Sequence, residues 1–151
     1  MIISLIVFLV GLVFGSFLNV LIYRLPLGIS LLKPIGSACP HCNYKIKWYE
    51  NIPVFSYLFL KGRCSSCSDS ISKSYPIVEL ITAAVTLMLY SNFWIGWDMI
   101  ITISLFYVLI VLSFIDLKYR AVPDYLLIIV VILAILVGDI INILLFTGGF
   151  V

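Results

Sequence analysis

Residues 1–23 contain no charged side chain, and neither do 80–97, 99–115 or 125–138. The last run resumes after Asp139 and continues to Val151. A helix needs about 20 apolar residues to cross the hydrocarbon core of a bilayer, with about 17 as the short limit. The runs therefore predict four spans, near 2–23, 77–96, 99–117 and 124–147. Composition agrees: hydrophobic residues make up 64%, charged residues 11%, and mean hydropathy is +1.24. Ordinary soluble domains carry about 25% charged residues, so a soluble globular protein is excluded and the lipid bilayer is the first partner. The first span is not a cleavable signal peptide. It has no basic start and no small-residue cleavage site, and its apolar run is too long.

One long polar island interrupts this pattern, from Cys39 to Glu79, and it holds all four cysteines. Cys39 and Cys42 form one C-x-x-C; Cys64 and Cys67 form a second after a gap of 21 residues. Two such knuckles supply the four thiolates that a closed tetrahedral zinc site requires. The alternatives are free thiols or two disulfides, and disulfides would need an oxidising compartment. His41 lies inside the first knuckle and reads as a neighbour of the site, not a ligand.

The basic residues give the orientation. Arg24, Lys33, Lys45, Lys47, Lys61, Arg63 and Lys73 lie between the first two spans, and Lys118 and Arg120 between the last two. With four spans these two loops share one side of the membrane. The opposite loop, near Ser91–Asp98, has no basic residue. The positive-inside rule makes the cysteine loop cytoplasmic and both termini external. A reducing cytoplasm favours zinc over disulfides. The net charge of +2 is too small to suggest a nucleic-acid partner.

Within the spans, Gly11 and Gly15 form a G-x-x-x-G, followed by Ser16 and Asn19. The small residues permit close helix approach and Asn19 a cross-helix hydrogen bond, although incidental glycines on a lipid face fit equally well. Arg24-Leu25-Pro26 ends the span at the interface, where Arg24 is expected to snorkel. A linker over 27–38 carries Gly28, Pro34 and Gly36. The aromatics between the knuckles (Trp48, Tyr49, Phe55, Tyr57, Phe59) read as packing and headgroup-region residues. Tyr75-Pro76 opens the second span, and Glu79 reads either as a first-turn carboxylate or as a polar group at an active face. Asp116 follows 17 uncharged residues. It is either an interface residue paired with Lys118 or Arg120, or a working carboxylate. Asp124 reads as the N-cap of the fourth span, and Asp139 lies deeper within it.

These residues resemble the type IV prepilin peptidases, bacterial membrane aspartyl proteases of the GxGD class. The likeness rests on Gly15-Ser16-Phe17-Leu18-Asn19-Val20, Arg24-Leu25-Pro26, Cys39-Pro40-His41-Cys42, Asn51-Ile52-Pro53-Val54, Ser56-Tyr57-Leu58 and Gly62-Arg63-Cys64. It continues through Cys67, Ile71-Ser72, Tyr75-Pro76, Val78-Glu79, Phe114-Ile115-Asp116 and Pro123-Asp124. The resemblance implies a bifunctional enzyme of the bacterial inner membrane. It would remove the basic leader of prepilins and pseudopilins, then methylate the new N-terminal amine with S-adenosylmethionine. It also implies that Asp116 is the first catalytic aspartate and that Cys39, Cys42, Cys64 and Cys67 hold a structural zinc.

The family's second aspartate lies in a G-x-G-D on a later helix, and this sequence contains no G-x-G-D. Val137-Gly138-Asp139 resembles part of it, but lies in the helix directly after Pro123-Asp124, so that role is not transferred to Asp139. Asp124 is a weaker alternative partner for Asp116. The chain is thus expected to be the N-terminal portion of a longer enzyme or a natural truncation. A truncation would act as a non-proteolytic methyltransferase, a prepilin-binding remnant or a zinc-stapled membrane scaffold. The expected fold is an all-α polytopic membrane protein with about four transmembrane helices and a small cytoplasmic tetracysteine zinc-knuckle insert between helices 1 and 2. The expected division is 1–23 for the first helix, 24–76 for the zinc segment and 77–151 for the remaining helices. Homo-oligomerisation, the particular pilin and the methyl-donor site stay open.

Overall fold

A computed structural model describes residues 2–31, 38–39, 41–92, 96–120 and 122–147, and side chains among these up to Gly138. Pro34, Gly36 and the side chain of Asp139 lie outside the described residues. Four long helices carry the chain: α1 (Ile2–Arg24), α3 (Ser74–Asn92), α4 (Trp97–Tyr119) and α5 (Asp124–Thr147). Between α1 and α3 sit a 3-10 turn (Trp48–Asn51) and the short helix α2 (Phe55–Phe59). Among the described residues there are no strands, only the isolated bridges Ala38–Lys45 and Arg63–Ser70. Helices suit such a sequence, because in hydrocarbon each backbone polar group must be satisfied within the chain. By length and composition α1, α3 and α4 suffice to cross a membrane, while α5 is apolar over its fully described part, Asp124–Gly138.

The α1–α3 contact is the most extensive between helices, and the glycines are its cause. A Cβ on Gly11 would stand 2.6 Å from the Ala83 Cα, and one on Gly15 would stand 2.6 Å from the Glu79 Cα. The G-x-x-x-G is therefore an intramolecular groove that receives the α3 backbone, not an incidental feature of a lipid face. Asn19 Nδ2 donates across the same interface to the Tyr75 carbonyl at 3.0 Å. Leu18 and Ile22 of α1, Val78 of α3, Ile110, Val111 and Ile115 of α4 and Leu126 of α5 form the core. The Thr86 hydroxyl bonds the Tyr107 hydroxyl at 2.7 Å and ties α3 to α4. The outer faces stay apolar, as in Phe17, Ile128 and Ile132, each more than half exposed. That pattern suits lipid, not water.

Three details differ from the sequence reading. Arg24 does not snorkel. It is buried, and its Nη1 donates to the Ser30 and Leu31 carbonyls at 2.9 and 3.3 Å, folding the linker back onto the end of α1. Glu79 is not in the first turn, because α3 begins at Ser74. Asp124 is the first residue of α5, so its carboxylate meets the helix start from inside the first turn and not from the cap position.

Candidate metal centre and cleft

The two C-x-x-C segments fold alike. In the first, the Cys39 N–H donates to the Tyr44 carbonyl and the Asn43 N–H returns to the Cys39 carbonyl. In the second, the Cys64 N–H donates to Asp69 and the Ser68 N–H returns to Cys64. The residue after each second cysteine reverses the chain in the left-handed region: Asn43 has φ 54° and Ser68 has φ 60°. Asn visits that region readily, Ser less so, and nothing in the C-x-x-C spacing announced the matching role of the two positions.

These turns bring all four sulfurs within 4.8 Å of one another. Cys39 and Cys67 Sγ stand 3.8 Å apart, and Cys42 and Cys64 Sγ 4.0 Å. Zn–S bonds of about 2.3 Å in a tetrahedron put sulfurs about 3.8 Å apart, whereas a disulfide needs about 2.05 Å. All four cysteines are free, so the donor set and spacing fit a closed zinc site with four thiolate ligands. Backbone donors at Cys42 and His41 hold the Cys39 thiol down at about 6, ready to supply a thiolate at neutral pH. At Cys67 the Asp69 backbone donor pulls downward, but desolvation and proton sharing with Cys42, Cys64 and Cys39 prevail, and the thiol rises to about 12. A metal held by these four cysteines would take the place of that shared proton.

His41 is not part of the cluster. Its Nε2 lies 2.9 Å from Asp69 Oδ2, so it braces one knuckle against the other from outside.

Between the knuckles, Pro53-Val54-Phe55 makes a tight turn. The Phe55 N–H donates to the Pro53 carbonyl at 2.6 Å, and Val54 sits at φ 62°, ψ −50°. This is the positive-φ γ-turn, rare and strained even without a β-branched side chain. It is held from below: the Val54 N–H donates to Glu79 Oε2 at 2.7 Å. Ser16 of α1 interacts with the same carboxyl. Sequence reasoning missed both the turn and the clamp, since Val is the residue type least suited to that backbone.

Beneath the module, a cleft of about 350 Å³ separates it from the ends of α1, α3 and α4. Asn19, Tyr57, Ser72 and Tyr75, all within the motifs singled out in the sequence, line it together with Glu79 and Lys118. Because Arg24, the start of α3 and the end of α4 border one cleft, the two basic loops do meet at one end of the bundle.

Asp116 is exposed in the last turn of α4, which Arg120 caps at φ 51°. No ion pair joins it to Lys118 or Arg120 among the described residues. Lys118 Nζ instead lies over the Tyr23 and Tyr119 rings at 5.4 and 5.1 Å. At about 100° per residue, Asp116 is about 160° around α4 from Lys118. The cleft and the Asp116 carboxylate thus occupy different faces of α4. Asp124, also exposed, begins α5.

Comparison with known proteins gives these features a family. The chain is 39% identical over 144 residues to the prepilin leader peptidase/N-methyltransferase of Aeromonas hydrophila, covering 80% of this chain and 49% of that protein. Proteins of the same name from Myxococcus xanthus and Vibrio cholerae are 41% and 40% identical, covering 77% and 78% of this chain and 34% and 49% of the relatives. The chain thus spans about half the length, or less, of these curated relatives. No solved structure matches it. Residues 9–93, more than half of the chain, match the family described as the bacterial peptidase A24 N-terminal domain, and the chain belongs to that family.

Proposed function

We propose that the chain supplies the zinc module and the first catalytic carboxylate of a prepilin leader peptidase/N-methyltransferase. The observation that carries this reading is the family match over 9–93, joined to relatives of that name that align with about four-fifths of the chain. The substrates are prepilins or pseudopilins, and the methyl donor is S-adenosylmethionine. The zinc module faces the cytoplasm, as the basic loops favour, and the membrane is the bacterial inner membrane.

Asp116 is exposed at the polar end of α4, near the membrane surface where a leader peptide meets its apolar helix. In the proposed reaction it works with a second carboxylate. One ionised carboxylate takes a proton from water while the other, still protonated, donates to the peptide. Cys39, Cys42, Cys64 and Cys67 would hold zinc as a fold-stabilising ion. A closed thiolate shell has no position for substrate water, and hydrolysis belongs to the carboxylates.

The test is leader removal from a prepilin by the native protein in membranes. Asp116→Asn should lower cleavage at least a hundredfold while zinc content stays unchanged. Cleavage at the wild-type rate by this variant would refute the assignment.

A further inference from the structure

The short helix α2 turns one apolar face outward. Phe55, Leu58 and Phe59 are 51%, 66% and 84% exposed, and their spacing of three and four residues puts them on one stripe. Tyr57, on the opposite side of α2, lines the cleft. The 3-10 turn packed beside α2 carries Trp48, 81% exposed. Lys61 and Arg63, both exposed, follow just after α2 ends at Phe59. An apolar patch of this kind, rimmed by cations, marks a contact surface.

The bond between Val54 and Glu79 fixes the height of this face. Phe55 opens α2 directly after Val54, whose N–H meets Glu79 at 2.7 Å. Helix α3 has 19 residues, a length of roughly 28 Å, which barely spans the hydrocarbon core of about 30 Å. Its second turn, with Glu79, therefore lies at or inside the hydrocarbon boundary. Helix α1 agrees. Gly15 packs on the Glu79 backbone and precedes the end of α1 at Arg24 by nine residues, about 13 Å along the helix. Around Glu79 the exposed residues Ile77, Leu80 and Ile81 are apolar, as a lipid-facing surface requires.

We infer that α2 is an interfacial helix that seats the cysteine module on the bilayer. Phe55, Leu58 and Phe59 enter the boundary between headgroups and acyl chains, and Lys61 and Arg63 reach the lipid phosphates. The occupant of this face is lipid because the Glu79 bond holds it at membrane depth, where exposed apolar side chains meet acyl chains and not water. The inference rests on α1 and α3 crossing the membrane and is independent of the peptidase reading.

The test is depth-dependent quenching of a single indole in the full chain. Trp48, Trp94 and Trp97 are changed to phenylalanine, and Phe59→Trp supplies the probe. The zinc-loaded protein is reconstituted into vesicles of phosphatidylcholine and phosphatidylglycerol, with iodide on both sides. Lipids brominated near the carbonyl end of the acyl chain should quench the indole at least twofold. Iodide should quench it at least threefold less than a free tryptophan amide. Strong iodide quenching without lipid quenching would place α2 in water and overturn the proposal. Protection from both quenchers would mean that protein, a second copy or another partner, covers the face, and would overturn it too. Zinc content reports that the module has folded, and if Phe59→Trp loses the metal, Leu58→Trp on the same stripe decides by the same two readings.

Discussion

The backbone N–H of Val54 meets the carboxylate of Glu79 at 2.7 Å, the hydrogen bond that joins the strained turn of the cysteine module to a membrane helix. A hydrogen bond left unmade at a buried donor costs about 1–3 kcal/mol, the same order as a backbone strain of about 1–3 kcal/mol. Val54→Pro removes the donor and cannot adopt φ 62°, so it should cost at least about 3 kcal/mol. Val54→Gly relieves the strain and should change stability by no more than about 1 kcal/mol. Thermal unfolding in detergent, followed with zinc release, measures both.

The α1–α3 interface makes a sharp contrast among glycines. Gly15→Ala forces a Cβ to within 2.6 Å of the Glu79 backbone and should destabilise by about 1–3 kcal/mol, the usual cost of overpacking. Gly138→Ala meets nothing within 4 Å and, in a helix, should be neutral or stabilising by up to about 1 kcal/mol. Comparing the two melting temperatures checks the assignment.

The metal centre should hold one zinc per chain, lost in Cys64→Ser. Zinc requires thiolates, and the proton held by Cys67 up to about 12 must leave on binding. Calorimetry at pH 7 should therefore show proton release. In the metal-free fold, Cys39 is held down at about 6 from an ordinary 9.0. Zinc needs deprotonated thiols, so protons compete with the ion as pH falls toward that value. Zinc retention should decline in the same direction, and elemental analysis after dialysis at pH 5 and pH 8 reads it.

His41 and Asp69 are 69% and 39% exposed in their side chains. An ion pair so open to water is worth about 0–1 kcal/mol. His41→Ala should keep the full zinc content and shift stability by less than about 1 kcal/mol. Loss of the metal in that variant would make His41 a ligand.

Much of this was legible in the chain because its physics is strongly patterned. Uncharged runs place the long helices, and paired C-x-x-C motifs place four sulfurs in one cluster. The G-x-x-x-G and Asn19 foretell a close helix contact, though not that α3 is its partner, because spacing is silent on which helix fills a groove. The resemblance marked Asn51–Val54 and Glu79 but not their connection, since a valine at positive φ runs against local preference and is held only by a side chain 25 residues away. Arg24 looked like an interfacial snorkel because sequence does not show the linker carbonyls that fold back over it. The groups facing the cleft come from helices far apart in the chain, so only the folded arrangement shows that Glu79 and Lys118 share it.

The central proposal is that Asp116 serves peptide cleavage while the tetracysteine module holds a zinc that serves only the fold. The measurement is a paired assay of leader removal and zinc content, made on Asp116→Asn and wild-type protein in native membranes. The account expects Asp116→Asn to lose at least a hundredfold in cleavage and to keep its zinc. Cleavage at the wild-type rate by that variant would contradict it.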